Sequence, residues 1–257
     1  MIDLACIRMV WQRDIIRYFR EKSQLYGSLT RPVMWLFILG MGLRGAYTGQ
    51  VGQVGLDQSV NYTQFLFPGI IAMTAIFTSI QSAISIIWDR EFGFLKEILV
   101  APVPRTSIAI GKGLAGTTLS LIQGCIVLLL APLVHVRLPW GNIVPLVLVM
   151  AVMSFSLTGI GIVIAARMTS FQGFGTIMNF IIMPLWFLSG ALFPARNLPV
   201  WLNVLVRINP LTYGVDLVRR LVLGFSYHSP VFDLGFLMGF GILTTAAAVF
   251  FFNRGEY

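Results

Sequence analysis

The sequence predicts an all-α integral membrane protein. Six transmembrane helices are expected, with an N-terminal interfacial amphipathic helix, a short amphipathic helix in a charged loop, and two short helices before the last span. Three observations predict this. Apolar residues fill 57% of the 257 positions and charged residues only 11%, against about 25% charged in an ordinary soluble domain. Mean hydropathy is +0.83. The charges also fall in short islands between long apolar runs, as they must if the runs cross a bilayer.

The balance is basic, 18 Lys plus Arg against 10 Asp plus Glu. The excess is spread between spans, which reads as membrane topology and lipid headgroup contact rather than nucleic acid binding. Cys6 and Cys125 stand too far apart in sequence for a disulfide framework or a zinc spacing. The first thirty residues are charged throughout, so no cleavable signal peptide is expected.

Residues 3–26 are predicted as the interfacial helix. Leu4, Ile7, Trp11, Ile15, Tyr18 and Leu25 recur at helical spacing, while Arg8, Arg13, Arg17, Arg20 and Lys22 make a basic surface. The first span, 29–47, is the weakest. Between Arg31 and Arg44 lie twelve uncharged residues, only ~18 Å of helix, and the full segment reaches ~28 Å when both arginines snorkel outward. A polar, Gly-rich loop follows. The second span, 65–88, carries Thr74, Thr78, Ser82 and Ser85 with Gln81 beside them. Small hydroxyl residues at that spacing mean close helix packing, with a polar substrate path as the functional alternative.

Residues 88–105 form a dense charged island around which the chain is organised. Phe92, Leu95, Ile98 and Leu99 fall on one face of a short helix over 90–101, and Pro102 ends it. Glu91, Lys96 and Glu97 lie off that face, toward water. A helix so held between two spans can pass force to something outside the membrane, whereas the plainer reading is a polar turn. The third span, 107–133, places Lys112 to snorkel back toward the island. Spans four and five are 143–166 and 171–193, the latter kinked at Pro184. Residues 198–224 make two short helices broken at Asn209-Pro210, either dipping into the membrane and returning or lying flat on the outer surface. The last span, 231–252, holds Gly235 and Gly239.

With the N-terminus inside, the inner side receives twelve basic residues and the outer side six. This predicts cytoplasmic termini, although the four arginines between the fifth and sixth spans argue the other way. No Asp or Glu stands inside a span away from its ends, which disfavours a proton-coupled carrier. His135 and His228 fall in outer loops without an evident carboxylate cluster, so no metal site is expected. No nucleophile–base arrangement points to an enzyme either. Gly111-Lys112-Gly113 lacks the spacing and the Ser or Thr of a phosphate loop, so ATP is not expected to bind this chain.

Residues 88–102, from Trp88-Asp89-Arg90-Glu91 through Leu95-Lys96-Glu97-Ile98-Leu99-Val100-Ala101-Pro102, resemble the cytoplasmic loop of type-2 ABC exporter permeases. The daunorubicin-resistance type and the nodulation-factor export type are the nearest comparison. Asn209-Pro210-Leu211-Thr212-Tyr213-Gly214-Val215-Asp216-Leu217-Val218-Arg219 resembles the segment before the last span of the same family. The resemblance implies a permease in the cell membrane, paired with a second copy as a homodimer. It also implies two copies of a cytoplasmic ATPase that carry ATP and Mg and do the hydrolysis. It makes Glu91, Phe92, Leu95, Lys96, Glu97, Leu99 and Pro102 a coupling helix docked on that ATPase. Trp11, Arg13, Arg17 and Arg20 then belong to the family's connecting helix, and Asn209, Pro210, Tyr213, Asp216 and Arg219 to an outer gate of re-entrant helices. An amphipathic drug-like, lipid-like or glycan substrate is implied. The competing reading is a self-sufficient secondary carrier or channel, for which the island is only a loop.

Overall fold

The computed structural model describes residues 3–42, 61–92, 104–168, 170–193 and 198–254. Its elements are helices: α1 (Leu4–Arg20), α2 (Lys22–Gly42), α3 (Tyr62–Ser82), α4 (Ile84–Glu91), α5 (Arg105–Leu128), α6 (Trp140–Ala165), α7 (Phe171–Phe187), α8 (Val200–Ile208), α9 (Pro210–Leu223) and α10 (Pro230–Arg254). A 3-10 turn, Ala131–Val134, follows α5.

Four helical runs are long and apolar enough to cross a membrane: Tyr62–Glu91 (α3 with α4), Arg105–Leu128, Trp140–Ala165 and Pro230–Phe251. They match the second, third, fourth and sixth predicted spans to within a few residues. The fifth predicted span is shorter than 171–193, since α7 stops at Phe187, one turn past Pro184. The first predicted span is α2, which starts seven residues earlier than 29 and whose Lys22 and Arg31 dilute its hydropathy; residues 43–47 lie outside the described residues. The third also ends early, because Leu129, Leu130 and the Pro132 turn close α5 at Leu128.

The core centres on α3, whose residues from Phe65 to Ile80 are buried on every side. A helix apolar all round belongs inside a bundle, and α2, α5, α6 and α9 pack around it. Close approach depends on glycine where backbones meet. A Cβ on Gly161 of α6 would stand 2.7 Å from the Ile80 carbonyl oxygen, and one on Gly69 2.7 Å from that of Ala191. Gly235 and Gly239 differ, since none of the described residues lies within 4 Å of a Cβ built there.

The N-terminal helix departs from its expected form. The chain breaks at Glu21, so α1 ends at Arg20 and residues 22–26 open α2 instead of extending the interfacial helix. The buried stripe of α1 is Cys6, Val10, Asp14 and Tyr18, while Leu4 is exposed and Ile7, Trp11 and Ile15 are half-buried. That stripe follows α5. The Asp3 amide donates to Ser107 Oγ at 2.8 Å near one end, and Trp11 Nε1 donates to Thr118 Oγ1 at 3.0 Å further along.

Hydrogen bonds between helices fix two ends of the bundle. At the island end lie Glu91, the start of α5, and the α6–α7 turn, where Arg90 donates to the carbonyls of Met168 and Ala166. At the far end the starts of α3 and α6 meet α9 and the turns after α5 and α7: Gln64 Nε2 donates to the His135 carbonyl, Tyr62 Oη to that of Leu192, and Asn142 Nδ2 to that of Leu221.

Candidate functional site

Near the island end three helices meet through buried charge. Asp14 sits on the inward stripe of α1, Asp89 two residues before the end of α4, and Lys112 on the second turn of α5. Lys112 Nζ lies 2.9 Å from Asp14 Oδ2 and 2.8 Å from Asp89 Oδ2, and donates to Ser85 Oγ at 2.8 Å. Arg13 reaches over the same pair, 2.5 Å from Asp89 and 3.3 Å from Asp14. Ser85 Oγ donates in turn to Asp14 at 3.1 Å. The side chains of Lys112, Asp14 and Asp89 are 4%, 7% and 4% exposed, so solvent does little to weaken these pairs. Burial pushes the Asp14 carboxyl up, but the Lys112 and Arg13 charges and the Lys112 and Ser85 hydrogen bonds outweigh it and hold the group below its ordinary value.

Lys112 does turn back toward the island, where it meets Asp89, but its ammonium is neutralised inside the protein rather than at the surface. The sequence carried a signal for this cluster, a lysine well inside an apolar helix and an aspartate among basic residues. Their separation of 98 positions hid the partnership.

Arg17 lies over the Trp88 ring at 4.5 Å and reaches Asp89 at 3.8 Å, whereas Arg20 is exposed. Trp88 in turn contacts Phe92, its ring centroid 5.4 Å away, and Phe171 at 5.0 Å. Glu91 and Phe92 are exposed, and both Arg90 and Glu91 close α4 rather than opening a separate helix. Leu95, Lys96, Glu97, Leu99 and Pro102 lie outside the described residues. A cleft of about 320 Å³ opens beside the charged cluster, lined by Asp14, Arg17, Glu21, Ser85 and Trp88 among others.

The polar residues of α3 and α4 are largely spoken for. Thr74 donates to the Ile70 carbonyl and Ser82 to that of Ser79, while Ser85 belongs to the charged cluster. Thr78 donates to Gln123 of α5, and the Gln123 amide donates to Tyr18 Oη and to Ser28 Oγ, joining α1, α2, α3 and α5. Gln81 is exposed. Thr74, Thr78, Gln81 and Ser82 nonetheless share one small cavity with Arg31 and Gln123. Gln123 was not among the residues singled out in the sequence, because one amide in an apolar run gives no hint of which helices it faces.

At the far end the residues around Asn209-Pro210 are brought together. Asn209 Oδ1 accepts from the Leu211 amide and caps α9, with Pro210 at its first position, where the missing N–H costs nothing. Asn209 Nδ2 donates to the Leu185 carbonyl at 2.6 Å and Tyr213 Oη to that of Arg207 at 2.6 Å. Arg219 is 1% exposed, donates to the Gly190 carbonyl at 2.6 Å, and stands 4.6 Å over the Phe65 ring. Residues Pro210 to Arg219 are buried between α3, α6 and α10, whereas α8 buries only Val206. Gly224, at φ 82, ends α9 in the left-handed conformation that glycine adopts freely.

One expectation at this end is corrected. His228 does have carboxylate company: its Nδ1 is 3.4 Å from Asp216 Oδ2 and 3.8 Å from Asp233 Oδ1. The three residues are separated in sequence by a helix end and a turn, which is why no cluster was visible there.

The sequence profile of the family described as ABC-2 type transporter matches residues 5–223. A protein carrying the name transport permease ycf38, from Cyanophora paradoxa, is 30% identical over 229 residues, 88% of this chain and 77% of that protein. Nodulation protein J of Rhizobium leguminosarum bv. trifolii is 30% identical over 229 residues, 88% of this chain and 82% of its own length. Escherichia coli YbhR, named as a multidrug ABC transporter permease, is 32% identical over 170 residues, covering 65% of this chain and 46% of that protein.

Proposed function

This chain belongs to the ABC-2 type transporter family, and from that premise we propose that it is the permease subunit of an ATP-driven exporter. It would move an amphipathic drug-like, lipid-like or glycan molecule out of the cytoplasm, with ATP and Mg bound and hydrolysed on two copies of a separate ATPase. A second copy of the permease completes the translocation unit as a homodimer in the cell membrane. Six helices, α2 together with the runs 62–91, 105–128, 140–165, 171–187 and 230–251, make the spans, and both termini face the cytoplasm. The island end then faces the ATPase, and the α8–α9 break faces outward as a re-entrant gate.

The observation that carries this reading is the family match over residues 5–223, which includes the charged island. The island has the chemistry to couple. Phe92, Leu95 and Leu99 offer an apolar ridge for a groove, Glu91, Lys96 and Glu97 set its register, and Pro102 ends it. Directly behind it, Asp89 is tied to α1 and α5 through Arg13 and Lys112. A pull on the island would thus reach α1, α4 and α5 together, with Trp11, Arg13, Arg17 and Arg20 moving as part of that unit.

The test is ATPase activity and substrate release in proteoliposomes holding this chain and the ATPase encoded beside it, wild type against Leu95→Asp. Coupled turnover that is lost in the variant, while the variant remains folded and inserted, is the expected outcome. If no ATPase associates, or Leu95→Asp leaves coupled transport intact, the reading fails and a secondary carrier or channel takes its place.

A further inference from the structure

The far end of the bundle holds an arrangement that export does not explain. Asp216 on α9, His228 in the turn after it, and Asp233 in the first turn of α10 each offer a donor atom, and these atoms lie within 4.8 Å of one another. Asp216 is 1% exposed and Asp233 fully buried. Asp216 has partners, accepting from the amides of Tyr227 at 2.9 Å and His228 at 2.8 Å. Asp233 has the His228 ring at 3.8 Å and the Asp216 carboxylate for neighbours, yet both of its oxygens are buried and neither accepts a hydrogen bond from the described residues. A buried carboxylate is ordinarily paired or coordinates a metal. Here a second carboxylate stands beside the first, which makes an unmatched charge costlier still.

We propose that Asp216, His228 and Asp233 bind a divalent transition-metal ion of the zinc class. The spacing suits it. Around an ion with bonds of about 2.0–2.2 Å, adjacent tetrahedral donors stand roughly 3.3–3.6 Å apart, and the His228 nitrogen is 3.4 Å from Asp216 and 3.8 Å from Asp233. One imidazole nitrogen with two carboxylate oxygens is a mixed set that favours zinc over the all-oxygen preference of calcium or magnesium. The Asp216 bonds to the Tyr227 and His228 amides orient that ligand from behind, as second partners do at metal sites. A cavity of about 240 Å³ lies against the site, lined by Asp216, Tyr227 and His228 together with Arg219. A bound ion would staple the end of α9 to the start of α10. The site stands apart from ATP coupling, so it is unaffected by the fate of the export reading.

The probe is zinc alone, titrated calorimetrically into the full-length chain in nanodiscs after removal of any purification tag and stripping with chelator. The expected result is one saturable site per chain, with a rise in melting temperature. Both His228→Gln and Asp233→Asn should weaken binding at least about a hundredfold, since loss of outer-shell partners alone costs 10- to 100-fold. His135→Gln, a histidine at the same end, should bind as wild type does. His228 is 38% exposed, so its variant folds and decides the matter even if Asp233→Asn does not. Absence of saturable binding, as for two aspartates sharing a proton, overturns the proposal. So does binding that survives His228→Gln or vanishes with His135→Gln.

Discussion

Replacing Lys112 with methionine removes the one ammonium that stands between two buried carboxylates. At 2.8–2.9 Å from Asp14 and Asp89, each attraction is worth about 6 kcal/mol at an effective dielectric of 20. Most of that only offsets the several kcal/mol per ion lost on leaving water. The measured loss on breaking such a buried pair is about 3–5 kcal/mol, because the partner stays behind unmatched. Arg13 remains within 3.3 Å of both carboxylates and Ser85 still donates to Asp14, so the expected loss lies at the low end, about 3 kcal/mol. Methionine keeps the length and most of the volume of lysine, which isolates the charge. The assay is reversible unfolding of the chain in mixed micelles by SDS titration, read by near-ultraviolet circular dichroism. Asp14→Asn combined with Lys112→Met should cost less than the two singles added together, with a coupling of about 1 kcal/mol or more. A change under about 0.5 kcal/mol for Lys112→Met, the range of an ordinary surface substitution, would refute the claim that this ion cluster ties α1 and α4 to α5.

Acid should act on the same cluster. Asp14 is held below its ordinary value in the folded protein, so its contribution to stability is complete above about pH 4, the unfolded value, and is lost as the pH falls through the lower folded value. Unfolding midpoints between pH 7 and pH 3 should show that loss in wild type, and less of it in Asp14→Asn. Packing gives a further comparison. Gly161→Ala drives a methyl to 2.7 Å from the Ile80 carbonyl and 3.0 Å from Ala83 Cβ, and should cost about 1–3 kcal/mol. Gly175→Ala, with none of the described residues within 4 Å of a Cβ there, should be neutral or gain about 0.5–1 kcal/mol from helix propensity. Equal effects in the same SDS titration would mean that α3 and α6 do not approach as described.

How far the site was legible depended on the distance over which its signals act. The break at Asn209-Pro210 was read from two adjacent residues, and Asn209 caps α9 there. Pro184 was expected to kink a longer helix, yet α7 ends one turn beyond it. The stripe of α1 was misread because Asp14 counts as polar in any hydropathy pattern, while in the fold it is buried against Lys112. Thr78 and Ser85 were visible as small polar residues on a span. Their attachment to Gln123 and to Asp14 depends on which way α5 and α1 are turned.

The sequence by itself determined the membrane class, the family and the approximate position of the four longest apolar helices, because hydropathy over twenty residues is a local sum that any fold must respect. Tertiary structure decided which charges meet. Lys112 finds Asp14 across 98 residues and Asp89 across 23, and Asp216 finds Asp233 across a helix end and a turn. In an apolar bundle a buried charge is tolerated only beside an opposite charge or a ligand that matches it, so helix rotations are set by groupings that no local pattern contains.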